Sequence, residues 1–432
     1  MGIAIVVSQI SPRLAYTLDW VFGQQLGIRY ELLSTAPPAG HPYACVLQYG
    51  KQGGHTTIPA IGLLSENKLQ VQQITAGTWE GLPVLFYTGN QEAFLPFDLF
   101  SAVFYLLSRY EEYLPFTADK FGRYPATESI LYRHQLLERP IIDEWLQQLS
   151  RKLGSYGVRA QPKQYAFLPT YDIDIAWSYR HKGWKRTLGG YLRDVAARNF
   201  AAVKERTSVL LGHQEDPYDS FDATDELHTG SGLNPVYFIL AAKQNGPYDK
   251  HILPSHPAMK QLIGRLAACY ETGMHPSYAT SEDPGLLREE HALMERCCGK
   301  KIDRSRQHYI RCALPDVYRN LIAAGIRQEY SMGYATHLGF RAGTSQAFPW
   351  YDLQAEQQTE LQVFPFCFMD TSARFELGLS AAQSFEKLQQ LQSTLQQTRG
   401  LLITVFHNFS LGTDPGWQGW QERYAAFIKQ AK

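Results

Sequence analysis

No stretch of this chain approaches the ~18 consecutive apolar residues that carry a helix across a bilayer, so no membrane span is expected. A charge excess is missing too. Lys+Arg and Asp+Glu both number 41 among 432 residues, so no global field draws the chain to nucleic acid or an anionic surface. The basic run His181-Lys182-Gly183-Trp184-Lys185-Arg186 reads as a solvated loop. Cysteine is scarce, and Cys45, Cys269, Cys297, Cys298, Cys312 and Cys367 include no Cys-x-x-Cys pair. That argues against a structural zinc site or a disulfide framework, and buried free thiols in a reducing compartment are expected. The start, Met1 to Ser8, has neither a basic region nor a long apolar stretch, so it reads as a buried first strand rather than a secretory leader, and cytoplasm is the expected location. Internal repeats and low-complexity segments are absent from the sequence.

What remains is an ordinary globular composition, 44% hydrophobic and 19% charged, long enough for two or three domains at roughly 100–200 residues each. Residues 1–153 alternate short apolar strands with helical stretches. Ile3–Val7, Cys45–Gln48, Ile58–Leu64 and Leu82–Tyr87 read as strands, and Phe97–Tyr113 and Pro140–Leu153 as helices. This part is expected to be a small accessory α/β domain. Residues 154–164, polar and carrying Gly157 and Pro162, are expected to form a linker.

From residue 165 on, strand candidates (Ala166–Tyr171, Pro235–Ala241, Gly273–Pro276, Gln307–Cys312, Tyr330–Met332, Leu361–Met369, Leu401–Phe406) alternate with helix candidates (Met259–Thr272, Gly285–Cys298, Leu314–Ala324, Ser380–Thr398). Alternation of that kind predicts parallel β/α units, with functional residues at the carboxyl ends of the strands. Residues 212–232, with four aspartates, are expected to be a long insertion or lid.

Several chemically capable residues fall at such strand ends. Thr170-Tyr171-Asp172-Ile173-Asp174 closes an apolar strand with two carboxylates. Side chains alternate along a strand, so Asp172 and Asp174 face the same way if the strand persists, and two converging carboxylates call for a cation or a proton between them. His275 ends a short apolar strand, and His308 stands on another, flanked by cations. Arg341 lies in Gly339-Phe340-Arg341-Ala342-Gly343, where glycines permit close backbone approach and an arginine can hold a carboxylate. Met369-Asp370-Thr371 follows an apolar run, and Leu402 to Asn408 ends in His407-Asn408.

Taken in order, these segments resemble the motif series of the polysaccharide deacetylase (NodB-homology, carbohydrate esterase) family, over roughly the last three-fifths of the chain. The resemblance implies a distorted (β/α) barrel over residues 165–432, preceded by the smaller α/β domain. It implies a hydrolase that uses a divalent metal, zinc by expectation, to remove N-acetyl groups from an amino-sugar-containing saccharide of a bacterial surface polysaccharide. Residue by residue, it implies Asp172 as general base, Asp174 and His275 as metal ligands, Arg341 orienting the base, Asp370 in support and His407 as general acid. Two departures stand out. Ile173 separates aspartates that the family has adjacent, which leaves the roles of Asp172 and Asp174 exchangeable. Ala279 stands where the family has a second histidine, so His308 is the candidate third ligand, with a buried structural histidine as the other reading of that residue. A barrel that has lost catalysis and serves as a carbohydrate-binding or regulatory protein is the alternative. Tyr171, Trp177 and Trp350 are candidate sugar-stacking rings.

Overall fold

In a computed structural model, which describes residues 2–50 and 55–431, the chain is mixed α/β with two parallel sheets. The first holds β1 (Ile3–Val7), β2 (Tyr30–Leu33), β3 (Cys45–Gly50) and β4 (Thr57–Pro59) in the order β2-β1-β3-β4. Met1, at the start of the expected first strand, lies outside the described residues. A hairpin of β5 (Ala76–Trp79) and β6 (Leu82–Leu85) follows. Helices at Leu99–Leu107 and Ile141–Gly154 complete this part.

The second sheet has nine strands: β7 (Ala166–Ile173), β8 (Val236–Leu240), β9 (Glu271–His275), β10 (Arg304–Ser305), β11 (Gln328–Glu329), β12 (Phe348–Asp352), β13 (Gln357–Val363), β14 (Phe368–Met369) and β15 (Leu401–His407). Their order is β12-β13-β11-β10-β9-β8-β7-β15-β14, and every neighbouring pair is parallel except β12 and β13. Strand β8, Val-Tyr-Phe-Ile-Leu, is buried along its whole length, as expected of a parallel strand covered on both faces. Connecting helices are well terminated. Asp283 accepts from Leu286 N at the start of Pro284–Cys298, and Gly299, in the left-handed region, ends it.

The expectation of a barrel meets a more open arrangement. Among the described residues no strand ladder joins the two ends of the nine-strand order. The sheet nonetheless curls. Phe364 N donates to Glu329 O at 2.8 Å beside β11, while Cys367 N donates to Ile403 O at 3.1 Å on β15, so the run from β13 to β14 touches strands from both ends. Phe366 packs in one apolar cluster with Val236, Phe238, Tyr330, Ile403 and Val405, side chains drawn from across the strand order.

The first 150 residues are fastened to the second sheet. One continuous apolar core runs through both parts. Arg13 pairs with Glu356 at 2.5 Å, Tyr16 OH donates to Pro349 O at 2.8 Å, and Trp20 Nε1 donates to Ala347 O at 3.1 Å. The expected linker is likewise held, through buried Val158 and a 2.8 Å bond from Gln161 N to Leu26 O. Gly339 makes part of this docking possible: its φ is +112°, and a Cβ there would lie 2.1 Å from Leu137 O.

The cysteine expectation holds in part. All six are free, but Cys269 is exposed and Cys298 only half-buried. Among the described residues no helix is long and apolar enough to cross a membrane.

The 221–228 helix of the long insertion buries His228, whose Nε2 meets Tyr171 OH at 2.6 Å. Burial pushes its imidazole down to about 4. The folded protein therefore leaves His228 neutral while the unfolded chain takes up a proton near pH 6.5, so its contribution is lost as pH falls from about 6.5 toward 4. His228→Asn is expected to lose about 2 kcal/mol less stability than wild type between pH 6.5 and 4.5, measured by denaturant melts at both pH values. Parallel pH profiles for the two proteins would count against this.

Candidate metal centre

Strand β7 sorts its last residues by face. Tyr171 points into the core, where its hydroxyl meets His228 and Tyr424 OH, the latter at 2.6 Å, while Asp172 and Asp174 share the opposite side with three histidines. His275 ends β9, His308 follows β10, and His407 ends β15 beside Asp172 in the strand register. All lie at the carboxyl ends of parallel strands, where β/α architectures build sites.

The distances define one centre. Asp174 Oδ1 is 3.2 Å from His275 Nε2, and its Oδ2 is 3.6 Å from both His308 Nε2 and His407 Nε2. Each ring is anchored through its other nitrogen: His275 Nδ1 to Arg306 O at 2.5 Å, His308 Nδ1 to Asp249 Oδ1 at 2.9 Å, and His407 Nδ1 to Asp370 Oδ1 at 2.7 Å. A carbonyl and a carboxylate only accept, so these anchors place a proton on Nδ1 and turn Nε2 toward Asp174. In a neutral ring that Nε2 is a lone pair. Lone pairs facing a buried carboxylate repel it unless a proton or a cation lies among them.

The electrostatics of the site point to the same demand for positive charge. Burial works against the charged form of His308, but Asp174 and Asp249 outweigh it and raise the group to about 9. Burial also opposes charge on His407, and Asp370 with Asp174 and Asp172 carries it to about 9. Asp174, despite burial, is held well below the usual carboxylate range by His308 and His275.

The group fits a metal. Donor atoms of Asp174, His275 and His308 all lie within 4.8 Å of one another, and Asp174 Oδ1 is buried without a hydrogen-bond donor among the described residues. Two imidazoles and one carboxylate suit zinc or a related first-row divalent ion.

Six of the seven residues expected from the sequence come together here: Asp172, Asp174, His275, His308, Asp370 and His407. Arg341 does not. Its guanidinium makes paired bonds to Glu112, 2.8 and 2.6 Å, and contacts Gly333 O, because the glycines around it admit the first part of the chain rather than Asp172. The arginine on Asp172 is Arg306, Nη1 to Oδ1 at 2.7 Å, with Nε donated to Tyr330 O at 3.0 Å. Sequence reasoning passed over Arg306, whose one available signal was its place two residues before His308. Asp249, in the polar loop after β8, gave no signal.

Two further expectations need correction. His308 does not stand on a strand, since β10 ends at Ser305 and His308–Ile310 is a 3-10 turn in which Tyr309 and Ile310 have φ of +59° and +55°. Left-handed backbone is costly for such residues, about 1–3 kcal/mol each, and it is held here by Arg123 Nη1 donating to Tyr309 O at 2.9 Å. Tyr171, Trp177 and Trp350 are buried core residues, so they are unavailable for stacking. The rings near His308 are Tyr309, Tyr278, Tyr248 and Phe121, with Tyr248 stacked on Tyr278 at 4.1 Å and Phe121 5.1 Å from Tyr309.

Residues 3–157 match the model of a family of unknown function (DUF7033). No curated protein matches the chain. Among solved structures, it is similar to a protein from Mycobacterium smegmatis provisionally assigned as a polysaccharide deacetylase, with 12% identity and a TM-score of 0.40 over 63% of this chain and 85% of that one. It is also similar to a GH57 branching enzyme from Thermococcus kodakaraensis (9%, TM-score 0.33, 62% and 68%) and to a 7,8-dihydropteroate synthase from Vibrio fischeri (9%, TM-score 0.30, 62% and 92%).

Proposed function

We propose that this protein is a metal-dependent hydrolase that removes N-acetyl groups from an amino-sugar-containing saccharide, built on a curled sheet that acts as a distorted (β/α) barrel. One observation carries the reading: Asp174 faces the Nε2 atoms of His275 and His308, each locked by a partner on Nδ1. Asp174, His275 and His308 would hold the ion, zinc by donor type. On this reading His308 stands in for the histidine missing at Ala279, and the observation favours catalysis over the alternative of a non-catalytic carbohydrate-binding or regulatory barrel. The domain boundary that accompanies this reading lies between residues 153 and 165.

A divalent ion in that position supplies a Lewis acid for the acetamide oxygen and a water acidified toward neutral pH. The chain does the rest. Asp172, with one oxygen fixed by Arg306 and the other facing the centre 3.9 Å from His275 Nε2, takes a proton from the attacking water. His407, kept protonated at neutral pH by Asp370, gives a proton to the departing amine nitrogen. The exposed Tyr248 and the half-buried Tyr309 supply apolar ring surface to the pyranose, while Tyr278 is covered by Tyr248 and Arg311.

Acetate release from N-acetylated amino-sugar oligosaccharides, before and after chelation and zinc return, tests the proposal. Activity that vanishes and returns supports it, whereas rates indifferent to metal removal defeat it. Arg306→Lys keeps a charge but loses the fork that reaches both Asp172 and Tyr330 O. It is expected to lower kcat by about 10²-fold with KM little changed. A kcat equal to wild type in steady-state assays would remove Arg306 from the mechanism.

A further inference from the structure

Between β7 and β8, on the carboxyl-end side of the sheet, the chain forms a helical hairpin of Gly183–Ala196 and Phe200–Leu210. Its beginning, His181 to Arg186, is helical from Gly183 on, where the sequence suggests a solvated loop. The first helix packs on the second through Tyr191, whose hydroxyl is 2.9 Å from Thr207 Oγ1, and through the buried Asp194–Arg206 pair at 2.5 Å. Gly190 lies under the Arg206 guanidinium, which a Cβ would strike at 2.5 Å. These contacts fix which face looks inward.

The outward face is apolar. Trp184, Leu188, Leu192 and Val195 recur at spacings of four, four and three, one stripe of a helix, and Phe200 opens the next helix. Trp184 is 73% exposed, Leu192 64% and Phe200 66%, so nothing among the described residues covers them. A contiguous exposed stripe of this kind marks a docking surface rather than scattered surface hydrophobics.

Charge names the occupant. The whole chain is neutral, yet residues 180–211 carry eight Lys or Arg against only Asp194 and Glu205. Lys185 and Arg198 are exposed on the hairpin, as is Arg193, which also pairs with Asp194 at 3.0 Å. An amphipathic helix with Trp and Leu on one side and cations beside them suits the interface of an anionic bilayer, where rings and aliphatic chains sink to the headgroup level and cations meet lipid phosphates. The base of the hairpin leads back to the metal centre: Arg186 Nη1 donates to His251 O at 2.9 Å, two residues from the Asp249 that orients His308.

We infer that the 183–210 hairpin is a peripheral docking element for an anionic phospholipid surface, which sets the metal centre toward saccharide held at that surface. The docking stands independently of the deacetylase reading, since it rests on no catalytic residue.

Co-sedimentation of the full chain with phosphatidylcholine vesicles, with and without about one-third phosphatidylglycerol, reads the effect directly. The protein is expected to pellet with the anionic vesicles and to release in about 0.5 M NaCl. Leu188→Asp/Leu192→Asp, and separately Lys185→Glu/Arg198→Glu, are each expected to weaken binding at least about tenfold at unchanged melting temperature, because the altered side chains are exposed. Equal binding to neutral vesicles, failure to pellet with anionic ones, or full binding by either variant would overturn the inference. So would light scattering that shows a wild-type dimer dissociated by Leu188→Asp, since a second copy would then be the occupant.

Discussion

Asp174→Asn is expected to abolish stoichiometric metal binding and to cut acetate release by at least about 10³-fold, since a bound ion contributes several kcal/mol and each 1.36 kcal/mol is a factor of ten. The expectation follows from the place of Asp174 at the hub of the site. Its two oxygens face three Nε2 atoms, and its Oδ1 is buried without a donor. The amide presents one oxygen and no charge to an ion, and its NH₂ would donate to an Nε2 lone pair that the ion needs. His275→Ala and His308→Ala should lose the ion as well, whereas His407→Ala should retain it and lose turnover, because the proposed mechanism gives His407, tied to Asp370 at 2.7 Å, proton transfer rather than ligation. Metal content per chain and acetate release on the same samples separate these outcomes. A variant at Asp174 that keeps both would remove Asp174 from the ligand set.

The second large effect concerns stability. Glu112→Ala is expected to destabilise the protein by about 3–5 kcal/mol, the cost of leaving buried charge without its partner. Glu112 receives Arg341 through two bonds and Arg109 through a third at 2.8 Å, with all three side chains buried. Burial opposes the charge on Glu112, yet Arg341 and Arg109 hold its carboxyl below the usual range. Its removal strands the Arg341 guanidinium, and leaves Arg109 with Glu111 alone at 3.1 Å, at the junction between the first part of the chain and the second sheet. Replacement of Glu112 and Arg341 together by Gln and Met should cost less than Glu112→Ala, because one stranded charge disappears with its partner. Thermal and denaturant unfolding of both variants measures the difference. A near-neutral Glu112→Ala would mean that the buried cations find other partners.

The parts of the site that were legible in the sequence are those where a continuous apolar strand stops at a titratable residue. Strands β7 and β15 are such runs, and Asp172, Asp174 and His407 could be read at their ends because hydrophobic patterning fixes both the strand and its face. His308 was reached as a ligand candidate by a wrong local route. Gln307–Cys312 has strand-like composition, but the strand stops at Ser305, and consecutive left-handed residues at Tyr309 and Ile310 carry no propensity signal. Arg341 was misplaced for a different reason. Flanking glycines announce a close approach without naming the partner, and Glu112 lies 229 residues away. Arg306 and Asp249 act on the site only through tertiary contact, which periodicity does not encode. The hairpin at 183–210 was missed because its apolar stripe faces outward, where patterning alone does not distinguish a docking face from a core face.

The central claim is that Asp174, His275 and His308 together hold one divalent ion. Calorimetric titration of zinc into chelator-treated wild type, beside Asp174→Asn and His308→Ala, tests it most directly. The geometry predicts one tight site per wild-type chain, with affinity lost in both variants while their circular dichroism is unchanged. A wild-type chain that takes up no zinc, or variants that bind it as tightly as wild type, would contradict the account.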